Sequence, residues 1–346
     1  MNGPAPRVVV LYNAPLLPED HPEFLCETEV IEVAETVAES LRLWGFEAIP
    51  LGARPPVSEV LLLLSNSGAE VVFNLIEGFD GTTNGATYLT ALLELIGHPY
   101  TGSPAEALAL CQSKARTKAL LKGFGLPTAP YLVVGPDDPI PDWQGGWPVF
   151  VKPEGQDASV GIEDQTVTVD ADALRDRVVA LRSRFGGSVL LEAYLPGPEF
   201  NVGVLAVPNP IALPVVQLCF DTMPGAWPIL TYDAKWSIDW ETEGSSPVRC
   251  PAQIDQTLAD HLGELAVAAF RATGCRDYAR VDFRLDDQGR PMILEVNPNP
   301  DLVPCGNWAS ALRASGRDYA ETLVAITQTA WKRRLIARET PALKHA

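Results

Sequence analysis

Two short segments carry side chains that could hold a metal-bound polyphosphate. In Arg280-Val-Asp-Phe-Arg284, residues 280, 282 and 284 share one face of a strand, and Val281, Phe283 and Leu285 share the other. In the segment Pro291 to Asn297, Ile293, Glu295 and Asn297 share one face, and Met292, Leu294 and Val296 the other. The turn Asp286-Asp-Gln-Gly289 joins them into a hairpin. If the polar faces coincide, Asp282, Glu295 and Asn297 converge beside Arg280. Two carboxylates and an amide oxygen are hard ligands, suited to Mg²⁺ held jointly with nucleotide phosphates. A half-buried hairpin with a solvated acidic face would alternate in the same way and is commoner. Against that stand the polar residues' places inside otherwise apolar strands, and the stiff turn Asn297-Pro-Asn-Pro300, which fixes where Asn297 points.

Isolated lysines form a second set. Lys152 ends the apolar run Val149-Phe-Val151, and the small-residue loop from Glu154 to Gly161 follows, with backbone N–H groups able to wrap phosphates. Lys114 and Lys235 are further candidates. Each alone reads as a surface lysine, and the loop alone as a surface hairpin. No GxxxxGK[ST] or GxGxxG motif is present. In Leu191-Glu-Ala-Tyr-Leu-Pro-Gly-Pro-Glu-Phe200 a strand runs into a rigid turn with Glu192 and Glu199 on either side. Extended backbone there could offer an N–H and a C=O to an adenine edge, with Glu199 placed for ribose hydroxyls.

These residues need a scaffold. Residues 7–12 and 70–76 read as buried strands. Residues 27–44 and 86–96 read as helices stopped by Gly45 and Gly97, and 57–64 as a further apolar stripe. That order implies a parallel sheet with helices on its faces, over residues 1–102. Two helices follow to about residue 125, then strands at 131–134, 147–152 and 189–194 around a helix at 171–185. These make a smaller α+β unit over residues 103–192. The rest, 193–346, has strands near 199–207 and 213–220, a loop-like stretch 221–252, a helix 253–273, the hairpin, and a last helix 318–335. A loop that long inside a compact chain is usually functional.

Composition limits the function classes. The chain has 346 residues, 47% apolar and 20% charged, enough for two or three packed domains at roughly 150 residues each. A net charge of −18 argues against coating nucleic acid or an anionic membrane. No apolar stretch approaches the roughly 18 residues that span a bilayer, and no secretory leader is recognisable. The six cysteines show no CxxC and no zinc-like spacing with the four histidines. The expectation is a soluble cytoplasmic protein with reduced thiols.

Taken in order, these features resemble an ATP-grasp enzyme, and most closely the D-alanine–D-alanine ligase family. The resemblance runs along nearly the whole chain. It is carried by Val72-Phe-Asn-Leu-Ile76, Leu93-Glu-Leu-Ile-Gly-His-Pro-Tyr-Thr-Gly102, Lys114-Ala-Arg-Thr-Lys118, Pro148-Val-Phe-Val-Lys-Pro153 and Ser159-Val-Gly161. Further on come Pro198-Glu-Phe200, Ala234-Lys235, Gly274-Cys275, Arg280-Val-Asp282 and Leu294-Glu-Val-Asn297.

The resemblance implies an α/β ATP-grasp fold, α+β in its ATP-binding part, with an N-terminal Rossmann-like parallel-sheet domain. It implies that Lys114 and Lys152 contact the α- and β-phosphates and that Lys235 reaches the γ-phosphate. Glu192, with the backbone near Tyr194 and Leu195, would hold adenine, and Glu199 the ribose. Asp282, Glu295 and Asn297 would hold two Mg²⁺ ions, for which Mn²⁺ could substitute, and Arg280 would stabilise an oxyanion. The loop with Ser159 would close over the phosphates, and Glu27 would hold the ammonium of a first amino-acid-like substrate. The activity implied is an ATP-dependent carboxylate–amine ligase working through an acyl phosphate. A homodimer through the first domain is implied too. A hydroxyl or thiol nucleophile, and a scaffold that only binds nucleotide, are the alternatives.

The substrate side departs from the family pattern. The histidine after the Phe-Asn strand is Glu77, the first lid serine is Ala158, and the tyrosine after the loop lysine is Trp236. The Pro-Gly-Met-Thr turn is Pro300-Asp-Leu-Val-Pro304, so a carboxylate stands at Asp301. Extra acid at Glu77 and Asp301 points to a substrate with additional positive charge or amines.

Overall fold

The computed structural model describes residues 6–18, 21, 24–156, 159–220, 226–232 and 248–339. The first sheet is parallel, in the order β2 (Glu47–Ala53), β1 (Arg7–Asn13), β3 (Val71–Leu75). Helices α1 (Phe24–Leu43), α2 (Val57–Ser67) and α3 (Asn84–Leu95) connect and cover it. Strand β2 was not expected from the sequence, because Pro50 and Gly52 interrupt its pattern. It pairs with β1 alone, so Pro50 removes no ladder hydrogen bond from a second neighbour. Of the 57–64 stripe, Val60 and Leu64 form the buried side of α2, which ends at the left-handed Gly68 (φ 64°).

This sheet does not close its own core. Val8, Val10, Val37 and Leu41 share one buried cluster with Trp308, Leu323, Ile326 and Ala330. The latter come from α8 (Asn307–Ala314) and α9 (Tyr319–Glu339), near the other end of the chain. Arg333 of α9 donates to both oxygens of Asp277 at 2.7 and 2.8 Å and to the Tyr100 carbonyl at 2.6 Å. Packing therefore crosses the boundary expected at residue 102.

The second sheet is antiparallel, β4 (Tyr131–Val134), β7 (Val189–Ala193), β5 (Val149–Pro153), β6 (Val167–Thr168). Helix α6 (Ala171–Phe185) lays Leu174, Val178 and Leu181 against Val134, Val149, Val151, Val189 and Leu191. Asp170 caps its start by accepting from the Ala173 N–H at 2.9 Å.

The third sheet runs β11 (Val248–Arg249), β10 (Val216–Leu218), β8 (Glu199–Ala206), β12 (Tyr278–Leu285), β13 (Pro291–Asn297), with β9 (Pro210–Ala212) beside β8. Helix α7 (Gln256–Ala272) backs it. So do α4 (Ala105–Gln112) and α5 (Lys114–Gly123): Cys111 and Leu121 share a core with Phe200, Val281, Phe283 and Ile293. These two helices, expected with the 103–192 unit, thus pack on the third sheet. No disulfide joins the described cysteines, and no described helix is long and apolar enough to cross a membrane.

Candidate active site

A cleft of about 1130 Å³ opens between the second and third sheets. One wall carries Phe150, Lys152 and Glu192; the other carries Glu199, Asn201, Arg280, Asp282 and Glu295. The hairpin register explains the second wall. Arg280 pairs with Asn297 and Asp282 with Glu295, so the polar faces coincide. The register then slips, and Phe283 pairs with Ile293. This bulge corrects the simple alternation. Ile293, expected beside Glu295, turns into the core at 0% exposure, and Leu294, expected on the opposite face, lines the cleft. A polar floor thus acquires an apolar residue beside its carboxylates.

Arg280 grips Asp282 with two parallel bonds, Nε to Oδ1 at 2.7 Å and Nη2 to Oδ2 at 2.9 Å. Asn201 Nδ2 donates to Asp282 Oδ1 at 2.8 Å, and Asn307 Nδ2 donates to Asn201 Oδ1 at 2.7 Å. Asn201 and Asn307 lacked any pattern in the sequence; only the alignment of β8 with β12 makes Asn201 face Asp282. Burial favours the neutral form of Glu295, but the charges of Lys114, Lys152 and Arg280 outweigh it and hold its carboxyl below the usual carboxylate range. Asn297 Oδ1 accepts from the Asn299 N–H at 3.0 Å, which orients the amide in the Pro-flanked turn.

Lys114 and Lys152 line the same cleft, and Lys118 is fully buried beside Glu192. Lys118 and Lys152 close on opposite oxygens of Glu192, Lys152 at 3.1 Å. Lys118 also donates to Thr128 Oγ1 at 2.8 Å. Burial opposes the charge on Glu192, whose exposure is 2%, yet two ammonium groups hold it ionised, below its ordinary range. Glu192, expected at adenine, is committed to the lysines. In the sequence the signal for Lys118 is its spacing of four from Lys114 on one helix. Lys114 Nζ donates to the Gln156 carbonyl at 2.5 Å and lies 3.9 Å from Glu295.

At the far end of these walls Tyr194, Leu195, Phe150, Leu294 and Ile229 line the cleft. The Tyr194 N–H, expected to serve a base edge, donates to the Pro148 carbonyl at 3.1 Å. Burial pushes the Glu199 carboxyl up to about 7, although Arg284, 3.3 Å away, pulls it down.

The loop after β5 is moored at both ends. Glu154 accepts from Ser113 Oγ at 2.5 Å and from the Ala115 N–H at 3.1 Å. Beyond Ser159 (φ 62°), buried Arg177 donates to the Gly161 carbonyl at 2.7 Å, to Thr166 Oγ1 at 3.2 Å and to Glu163 at 2.7 Å. Gly161 is at φ 78°, where a Cβ would stand 2.7 Å from Pro153 Cγ, so only glycine fits.

The opposite mouth of the cleft is acidic. Glu29, Glu77, Asn299 and Asp301 line both the cleft and a small niche walled by Val30, Val33, Leu75 and Leu302. Asp301 Oδ1 accepts from the Val303 N–H at 2.7 Å, and its charge is felt at Arg280. Lys235, Trp236 and Ala158 lie outside the described residues, as does the side chain of Glu27.

Residues 120–328 match the family model described as D-ala D-ala ligase C-terminus. A D-alanine–D-alanine ligase of Mycolicibacterium smegmatis is 34% identical over 333 residues, covering 91% of this chain and 83% of its own. A protein of Sinorhizobium fredii, uncharacterized protein y4sG, is 34% identical over 76% of this chain and 75% of its own. Among solved structures, the D-alanine–D-alanine ligase of Bacillus anthracis complexed with ATP superposes with a TM-score of 0.75 at 18% identity, over 96% of this chain and 100% of that one. That likeness concerns the fold.

Proposed function

Because the chain belongs to the D-alanine–D-alanine ligase family and is an ATP-dependent ligase forming a C–N bond, we propose that its cleft joins the carboxylate of one amino acid to the amine of a second through an acyl phosphate. The observation that carries this is that one cavity is lined by two charge sets, Lys114 and Lys152 together with Asp282 and Glu295.

A free carboxylate resists attack because oxide is a poor leaving group. Its oxygen instead attacks the γ-phosphorus of ATP, and the bond to ADP breaks. The amine then attacks the acyl carbon, a C–N bond forms, the C–O bond to phosphate breaks, and the amine gives up a proton. Phosphoryl transfer asks the protein for positioning and charge neutralisation. In this reading Lys114 and Lys152 neutralise the α- and β-phosphates, and Lys235 the γ-phosphate. Arg280 sets positive charge where the oxyanion develops. Ser159 rides on the loop that excludes water from the acyl phosphate. Leu195 and Tyr194 line the nucleoside end, with Glu199 toward the ribose.

Among the described residues no three His, Cys, Asp or Glu side chains gather into a metal cage. Two carboxylates and one amide are offered from Asp282, Glu295 and Asn297, all oxygen donors, so they fit Mg²⁺ whose remaining positions phosphate oxygens complete. The ions would neutralise phosphate charge. Glu27, Glu29, Glu77 and Asp301 would receive the ammonium groups of the amino acids, and the extra acid at Glu77 and Asp301 suits an amino acid with a further cationic tip.

The exposed apolar residues Leu62 and Leu63 of α2 and Tyr88 and Leu95 of α3 support pairing of two copies through the first domain. Phosphate release with pairs of amino acids, each enantiomer and the cationic side chains included, tests the reading. Turnover with an amine present and none without it is the expected result. ADP release with no amine in any pair would overturn it, and preference for D-alanine over every cationic amino acid would remove the acidic-niche assignment.

A further inference from the structure

Arg284 lies two residues beyond Asp282 on β12, on the same cleft wall, and is 4% exposed. The proposed chemistry gives it no role. A guanidinium this deep is retained only if its donors are matched. Nε donates to the Gly197 carbonyl at 3.0 Å. Nη1 reaches Glu199 Oε2 at 3.3 Å. Nη2 donates to the Pro228 carbonyl at 2.6 Å and to Tyr194 Oη at 3.3 Å. The plane of the group sits 5.2 Å from the Tyr194 ring centroid and 5.8 Å from that of Phe220. Tyr194 in turn meets the edge of Trp227 at 4.9 Å.

One side chain therefore joins three pieces of chain, the first two of which the β8–β12 ladder and the Gly197–Leu285 backbone bond also hold. These are the turn between β7 and β8, the first residue of β8, and the segment around Trp227 and Pro228, whose next residues Ile229 and Leu230 line the cleft. The fork matters as much as the charge. Its donors point in divergent directions in one plane, whereas the three protons of a lysine ammonium leave a single point.

We infer that Arg284 is a positioning residue for the nucleotide: it holds the Glu199 carboxylate and seats the Trp227–Leu230 segment against Tyr194, so that the nucleoside end of ATP meets a pre-formed pocket. This rests on the cleft being an ATP site. The charged groups facing Glu199 are Arg284, Asp282, Glu295 and Lys152. Burial raises its carboxyl most, and Arg284 is the largest opposing influence.

The test is equilibrium binding of the nonhydrolysable β,γ-imido analogue of ATP with Mg²⁺, from pH 5.5 to 9, to the wild type, R284M, R284K and E199Q. The wild type binds the analogue. R284M binds it about tenfold more weakly or worse, while Mg²⁺ with inorganic tripolyphosphate binds as in the wild type, a split that loosened folding does not give. R284K also binds the analogue more weakly, separating charge from fork. E199Q binds the analogue more weakly too. Should R284M not fold, R284K and E199Q carry the test, and wild-type affinity in R284K overturns the inference. R284M within twofold of the wild type at every pH overturns it as well. Failure of the wild type to bind the analogue strikes at the ATP reading instead, and so is told apart.

Discussion

Asp282 and Glu295 stand directly opposite each other on β12 and β13, and the register slips immediately beyond them. The two carboxylates are nevertheless unequal. Asp282 is clamped by Arg280 and Asn201, whereas Glu295 faces the cleft with Lys114 3.9 Å away. Glu295→Ala is expected to abolish turnover with little change in urea stability. Asp282→Ala is expected to lose turnover and about 2 kcal/mol of stability, because Arg280 is left unmatched. Normal phosphate release by the Glu295 variant would remove the metal assignment.

Glu192 neutralises two lysines in a sealed position. Glu192→Gln leaves both cations without a counter-charge and is expected to cost about 3–5 kcal/mol by chemical denaturation. The sign with pH follows from the lowered carboxyl. Its stabilisation is complete above the unfolded value of 4.5 and is lost as pH falls through the lower folded value. The gap between wild type and variant therefore narrows in acid; a gap that stays constant down to pH 3 would contradict the assignment.

Glu199 behaves in the opposite sense. Its carboxyl is raised from 4.5 to about 7, so between those values the folded chain keeps a proton that the unfolded chain has released. Stability is then present below 4.5 and declines as pH rises to about 7. Glu199→Gln is expected to weaken ATP binding yet to gain about 1 kcal/mol of stability at pH 8, with the gain vanishing at pH 4. Equal effects of the substitution at both pH values would refute this.

Arg177 anchors the far end of the loop after β5 through Gly161, Thr166 and Glu163. Arg177→Ala is expected to leave ADP formation largely intact while lowering the yield of amide per ADP severalfold, because water reaches the acyl phosphate. The ratio of product to ADP measures it. An unchanged ratio would show that the mooring does not govern water exclusion.

Much of the site could be read from residue order. Alternation in Arg280-Val-Asp-Phe-Arg284 and Leu294-Glu-Val-Asn297 identified the hairpin and its polar side, because strand periodicity is local and strong. Helix α6 was legible to the residue, since Asp170 and Gly186 punctuate it with a cap and a left-handed stop. Strand β2 and helix α8 were not: Pro50 and Gly52 interrupt the strand's pattern, α8 is short, and each owes its place to a neighbour, β1 for the one and the shared core around Trp308 for the other.

The amino-acid order settled the kinds of group present: oxygen-bearing side chains on one hairpin, ammonium groups at strand and helix ends, and carboxylates at Glu77 and Asp301. Folding settled their partners. The bulge after Asp282 sent Leu294 rather than Ile293 into the cleft, and Glu192 took Lys118 and Lys152 as partners. Arg284 became a junction for chain segments far apart in sequence. Local patterns specify the face on which a residue falls, since that depends on backbone repeat alone. Which residue it meets depends on register and on contacts between distant segments, and these are chosen by the free energy of the whole packed core.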